Sequence, residues 1–155
     1  MEEEKIELKF KRLNTKELSG PDYKMYNYAI LAAKCAYAPY SNFNVGAAVL
    51  FEGGGIVYGN NQENIAYPSG LCAERVALFS AGATHPEKPV IGMAIVAMKN
   101  GVIQPSIAPC GACRQVMLET ERRYRQTMRI LLCGKDETII IPSAKDLLPF
   151  SFSEM

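Results

Sequence analysis

The protein has 155 residues, 48% of them hydrophobic and 21% charged, with a formal net charge of +1. A chain of this length fits one domain and buries roughly two-thirds of its unfolded surface, so its core needs no disulfides. The composition excludes wholesale disorder, and the near-neutral charge offers no electrostatic attraction to nucleic acid or to an anionic membrane.

The chain opens on Glu2, Glu3 and Glu4, whereas an export signal wants positive charge followed by an apolar run. Residues 90–98 are the longest strongly apolar stretch and are too few to span a bilayer. The expectation is a soluble cytoplasmic protein with no membrane partner. Ile6, Leu8 and Phe10 alternate with Glu7, Lys9 and Lys11, which predicts a strand over residues 6–10. Ser19, Gly20, Pro21 and Asp22 carry helix-start chemistry: a capping serine, a proline in the first turn and an acid three residues after the serine. Residues 23–37, rich in alanine and aromatics, continue as a helix that Pro39 ends.

Residues 45–51 read as a buried strand, Gly53, Gly54 and Gly55 as a turn, and residues 56–58 as the returning strand of a hairpin. Residues 59–70 are polar, with Asn60, Asn61, Asn64, Pro68 and Ser69, and form a loop of the kind that gathers binding residues. A helix over residues 72–81 stops at Gly82. Residues 90–98 are apolar on both faces, as a central strand covered by helices must be. A helix over residues 113–125 follows Pro109, Cys110, Gly111 and Ala112; residues 128–133 and 138–141 are strands. Residues 143–148 are a short helix capped by Ser143. The order gives one layered α/β domain with a mostly buried sheet.

Five cysteines, an odd number in a chain of this size, argue against a disulfide framework and for metal binding or catalysis. Cys72, Cys110 and Cys113 stand at predicted helix starts, where free N–H groups and the helix dipole favour the thiolate that binds metal. Three ligands, not four, are the pattern of a catalytic zinc that keeps a position open for water and lowers its pKa to about 7. Glu74, two residues after Cys72, is placed to take a proton from that water and pass it to a substrate. Three thiolates exceed the charge of one zinc ion, so Arg75 and Arg114 are expected to donate to the sulfurs and offset the excess.

Other readings compete at this point. Cys110 and Cys113 could form a thioredoxin-like redox pair, which leaves Cys72 and Glu74 unexplained. A structural zinc could be closed by Cys35, Cys133 or His85. Outside those cases Cys35 and Cys133 read as core residues and His85 as an exposed loop residue without a role. Arg122, Arg123, Arg125 and Arg129 make a weak nucleic-acid patch, with little net charge and no interleaved aromatics, and read better as a solvated or subunit-contacting helix end.

Five segments, in order, now carry a resemblance: residues 39–48 (PYSNFNVGAA), 61–64 (NQEN), 72–75 (CAER), 109–115 (PCGACRQ) and Leu147, Leu148 and Pro149 ahead of Phe152. Together they resemble the small, zinc-dependent, homotetrameric cytidine deaminases, within the wider zinc-deaminase signature. The resemblance implies a three-layer α-β-α domain with a mixed five-stranded sheet over residues 21–155, preceded by an extension over residues 1–20. It implies one zinc per chain on Cys72, Cys110 and Cys113, with Glu74 as proton shuttle and Arg75 bonded to the thiolates. Asn61 and Glu63 would bind the ribose, Phe43 would pack on the pyrimidine, Ala73 would offer its N–H to the base, and Phe152 would reach a neighbouring subunit's site. The implied reaction is hydrolysis at C4 of cytidine or 2′-deoxycytidine, releasing ammonia in pyrimidine salvage. Gln62 and Ala108 depart from the Val or Ile and the Ser that are frequent in the family. A carboxylate beside the sugar repels phosphate, which favours a nucleoside. A deaminase of a modified cytosine nucleoside such as blasticidin S, and a non-catalytic zinc-stabilised module, are the alternatives. A polynucleotide-editing deaminase would need a basic aromatic groove that a tryptophan-free, nearly neutral chain does not provide.

Overall fold

The computed structural model describes residues 1–153. The elements are β1 (Lys11–Asn14), α1 (Gly20–Lys34), β2 (Phe43–Phe51), β3 (Ile56–Asn60), α2 (Ala73–Thr84), β4 (Val90–Lys99), β5 (Val102–Ile103), α3 (Gly111–Tyr124), β6 (Arg129–Cys133) and β7 (Glu137–Ile141). Short 3-10 turns lie at Thr15–Glu17, Tyr67–Ser69 and Ala144–Leu147. The strands form one sheet in the order β1-β7-β6-β4-β2-β3, with β5 folded back on the end of β4. Only β4 and β6 run parallel, so the sheet is mixed as expected. It has seven strands rather than five. The two additions are β5, whose two residues leave no periodic signature, and β1.

β1 also corrects the strand expected over residues 6–10, because residues 1–10 carry no regular structure. Register decides this. β1 pairs antiparallel with β7 from Lys11 opposite Ile140 to Asn14 opposite Glu137. Two steps further back Lys9 would face Pro142, which has no N–H to donate. β1 is held instead from within and from just beyond its end: Arg12 Nη1 lies 2.8 Å from Glu137 Oε1, and the hydroxyl of Thr15, the next residue, donates to Gly134 O at 2.8 Å.

Alternation along β4 builds both layers of the core. Met93, Ile95 and Ala97 pack with Ala77, Leu78 and Met117 of α2 and α3; Ala94, Val96 and Met98 pack with Met25, Ala29 and Ala33 of α1. The domain is therefore three-layered. Two glycines set how closely the helices approach. A Cβ on Gly46 would collide with the backbone of Ala29 and sit 2.5 Å from Ala33 N, and one on Gly59 would sit 2.6 Å from Ala77 N. α1 and α2 thus press on the β2–β3 hairpin from opposite sides.

α1 stops at Lys34, earlier than the expected residue 37, because Tyr37 leaves the helix to pair with the polar loop. Tyr37 N donates to Asn61 O at 3.1 Å and Glu63 N donates to Tyr37 O at 2.8 Å. Ser19 occupies the cap position of α1 without making a side-chain cap bond, whereas Ser143 does accept from Lys145 N at 3.2 Å. Among the described residues no helix is long and apolar enough to cross a membrane.

Candidate metal centre and adjoining cleft

Two helix starts meet at one edge of the α2–α3 layer. Cys72 is the N-cap of α2 and Cys110 the N-cap of α3, with Cys113 in the first turn of α3. Both caps have extended backbone and make no side-chain cap bond, so their sulfurs are turned outward to each other. Cys72 Sγ and Cys110 Sγ are 3.9 Å apart, Cys110 Sγ and Cys113 Sγ 3.4 Å, and all three sulfurs lie within 4.8 Å of one another. A tetrahedral zinc ~2.3 Å from each sulfur spaces sulfur pairs roughly 3.8 Å apart, so the cluster suits one zinc ion.

Among the described residues this is the one group of three or more metal-binding side chains, and Cys35, Cys133 and His85 do not join it. Cys133 is buried on the α1 face of the sheet, as a core residue should be. Cys35 corrects the sequence reading: it caps the end of α1 and is exposed. His85 is half-buried rather than exposed, its ring 5.2 Å from that of Phe51.

The electrostatics divide the cluster. The Cys72 thiol is lowered to about 5, first by its hydrogen bond with Cys113 and then by the Arg75 guanidinium. Arg75 Nη2 donates to Cys72 Sγ at 3.5 Å, as expected for a residue that offsets thiolate charge. Cys113 is pushed up by the same bond with Cys72 and by burial. Glu74, in the first turn of α2, is only 4% exposed. Burial raises its carboxyl above the usual range, and the Cys72 charge adds to the rise. A carboxyl displaced upward is tuned to pick up and release protons closer to neutral pH.

Arg114 departs from its expected place. Its Nε donates to Pro109 O at 2.9 Å and its Nη1 to Leu147 O at 2.9 Å, so those donors serve carbonyls rather than sulfurs. It fixes the residue ahead of Cys110 and ties the C-terminal turn to α3.

Beside the cysteines opens a cleft of about 520 Å³ whose wall includes Tyr40, Asn61, Glu63, Tyr67, Cys72 and Arg75. The Asn61 side chain bonds the start of β2, accepting from Val45 N at 2.8 Å and donating to Phe43 O at 2.9 Å. That leaves one amide N–H for a ligand. Glu63 accepts from Tyr40 N at 2.9 Å, Ser41 N at 3.3 Å and the Ser41 hydroxyl. These bonds, the hydroxyl's foremost, hold its carboxyl below the usual range. Gln62 also lines the cleft, and its backbone exchanges two 2.9 Å bonds with Leu71, clasping the loop to the residue before Cys72.

The remaining expected residues are more dispersed. Ala73 is buried at the first position of α2, where an N–H has no partner within the helix. Phe43 packs against the α2–α3 side of the core and does not line the cleft. Phe152 is 74% exposed, outside its own chain's cleft, with its carbonyl held by Gln115 Nε2 at 2.9 Å. Tyr40 and Tyr67 also stand on the rim; an exposed aromatic inside the polar loop and another ahead of β2 are the sequence signal that points to them.

Residues 20–128 match the family described as the cytidine and deoxycytidylate deaminase zinc-binding region. The chain is 46% identical over 91 residues to a cytidine deaminase of Halalkalibacterium halodurans, covering 59% of this chain and 65% of that protein. It is 40% identical over 123 residues to one of Sporosarcina psychrophila, covering 79% and 85%. The crystal structure of cytidine deaminase from Burkholderia pseudomallei matches with a TM-score of 0.71 at 41% identity, over 84% of this chain and 98% of that one. The enzyme of Mycobacterium tuberculosis matches at 0.66 and 32%, over 85% and 97%. The chain belongs to the cytidine and deoxycytidylate deaminase family.

Proposed function

From that membership we propose that the protein hydrolyses cytidine and 2′-deoxycytidine to uridine and 2′-deoxyuridine, releasing ammonia, as a cytoplasmic homotetramer in pyrimidine salvage. The observation that carries the reading is the pairing of three thiols within 4.8 Å with a buried, proton-retentive Glu74, its neighbours Cys72 and Arg75 lining a polar cleft. Cys72, Cys110 and Cys113 hold the zinc, which when bound acidifies a water to pKa about 7 and polarises the reacting centre.

This chain's residues do the rest. Glu74 accepts one proton from the attacking water and delivers it to N3 of the ring, then takes the other from the new C4 hydroxyl and hands it to the amine, which leaves as ammonia while the C4 carbonyl forms. Arg75 donates to Cys72 Sγ and draws off thiolate charge that would otherwise weaken the ion as an acid. The Ala73 N–H addresses the base, and Phe43, packed beside the core and outside the cleft wall, meets the ring once substrate enters. The free amide N–H of Asn61 and the remaining lone pairs of Glu63 take ribose hydroxyls. The Glu63 carboxylate, kept ionised by its three donors, repels a 5′-phosphate and selects nucleosides. Phe152, exposed on its own chain, reaches a neighbour's cleft, so residues 21–155 form the catalytic domain but share the site between subunits.

Steady-state rates on cytidine, deoxycytidine and their 5′-monophosphates, with zinc per chain measured alongside, test this. Both nucleosides are turned over and the monophosphates are poorer by about 100-fold, the scale expected when a charge meets an unpaired like charge in a cleft. Protein carrying one zinc per chain that leaves both nucleosides intact, or that prefers the monophosphates, refutes it.

A further inference from the structure

Residues 4–10 form an exposed arm that continues β1 past the end of β7. Three observations suit this irregular segment to becoming a strand once a partner pairs with it. Ile6, Leu8 and Phe10 are 53%, 51% and 51% exposed, an apolar stripe of period two that stands outside both core clusters of the described residues. The arm's side chains already alternate as in a strand: Lys5 pairs with Glu7 at 2.6 Å on one face, and the Arg12 guanidinium lies over the Phe10 ring at 5.4 Å on the other. β1 ends the sheet and has a partner on one side only, so its outer backbone groups are open for pairing. The arm lies ahead of the family match, which starts at residue 20, and so is not part of the deaminase core.

The pattern of charge identifies the occupant. We propose that the arm pairs antiparallel with the same arm of a second copy of this chain, about a two-fold axis through Leu8. In that register Leu8 faces Leu8, Ile6 faces Phe10, Glu7 faces Lys9 and Glu4 faces Arg12; only Lys5 opposite Lys11 brings like charges together. The apolar stripe falls on one face, and the cross-strand ion pairs occur twice by symmetry. The outer edges of β1 at Lys11 and Arg12 join the pairing, which makes one ribbon of β7, β1 and arm continue into its symmetry mate. Two isolated strands are marginal, whereas this ribbon is backed on each side by a folded sheet. The contact makes no use of the zinc site.

Sedimentation velocity of the full-length protein over a range of concentrations tests the proposal. Leu8→Asp puts two carboxylates on the axis, and it should shift the assembly to a smaller particle or weaken its association at least tenfold. Removal of residues 1–10 should do the same. Glu7→Lys and Lys9→Glu alone should each weaken association by about tenfold, and the double swap should restore it. These positions are exposed, so a matched thermal unfolding curve checks that folding is intact. The proposal is overturned if removal of the arm leaves the assembly unchanged at every concentration. It is equally overturned if the single swaps weaken association and the double swap does not recover it, since the arm would then dock on a different surface.

Discussion

Glu74→Gln separates proton transfer from everything else the site does. The substitution keeps side-chain length and volume in a position that is 4% exposed, so it opens no cavity. It removes an anion that burial already disfavours, the cause of the raised carboxyl. The variant is therefore predicted to unfold at the same temperature as the parent or higher. Zinc content stays at one per chain, because the three sulfurs gathered within 4.8 Å are untouched. What disappears is the group that shuttles protons between water, N3 and the amine. General acid–base catalysis of this kind contributes roughly 10²- to 10⁴-fold. At ~1.4 kcal/mol per decade that is about 3 to 5 kcal/mol of transition-state stabilisation. The assay is the fall in cytidine absorbance with zinc quantified on the same samples. Full turnover by Glu74→Gln refutes the shuttle. Loss of zinc refutes it differently, by making Glu74 part of the metal's coordination.

Three further outcomes are expected. Gly46→Ala forces α1 off β2, since the new methyl meets the backbone of Ala29 and Ala33, and costs about 3 kcal/mol in a urea titration; Gly55→Ala, whose nearest neighbour is a Phe51 ring carbon at 3.5 Å, costs little by the same measurement. Ser41→Ala removes the strongest bond to Glu63, so the Glu63 carboxyl titrates higher by NMR and KM for cytidine rises while kcat holds; an unmoved titration contradicts the assignment. A depressed carboxyl favours the folded loop above its unfolded pKa and loses that advantage as pH falls through the folded value, so the Ser41→Ala difference in loop protection should vanish in acid. In native zinc-loaded protein Cys35 reacts with a thiol reagent at pH 8 and Cys133 does not, because burial pushes the Cys133 thiol up to about 12. Labelling of Cys133 before unfolding would overturn its placement in the core.

The parts of the molecule written in local pattern were legible before the structure. The helices after Cys72 and after Pro109 follow from proline and glycine punctuation ahead of amphipathic runs, although α3 starts at Gly111, two residues before the expected Cys113, and β4 follows from an apolar run too uniform for one buried face. What escaped is set by residues far apart in the chain. The choice of Lys11–Asn14 over residues 6–10 as the strand rests on register with β7, some 125 residues away, and on Pro142 ending that register. Arg114 reads as a sulfur donor by adjacency to Cys113, yet its Nη1 goes to Leu147 O, which no spacing rule announces. Cys35 reads as a core residue only in a helix that runs on to residue 37; pairing of Tyr37 with the loop, not any residue's helix propensity, ends that helix.

The clasp between Gln62 and Leu71 has an evolutionary consequence. Two backbone bonds of 2.9 Å close the loop that spans residues 63–70 at its neck, and Cys72 follows immediately after. Backbone bonds do not depend on which side chains the loop carries. Residues inside the neck can therefore be exchanged, and the loop lengthened or shortened, while the first metal ligand stays in register with α2. The loop is a replaceable cartridge: substrate range can diverge there without the chemistry having to be rebuilt, and a library confined to residues 64–70 is where altered sugar or base tolerance should be sought first.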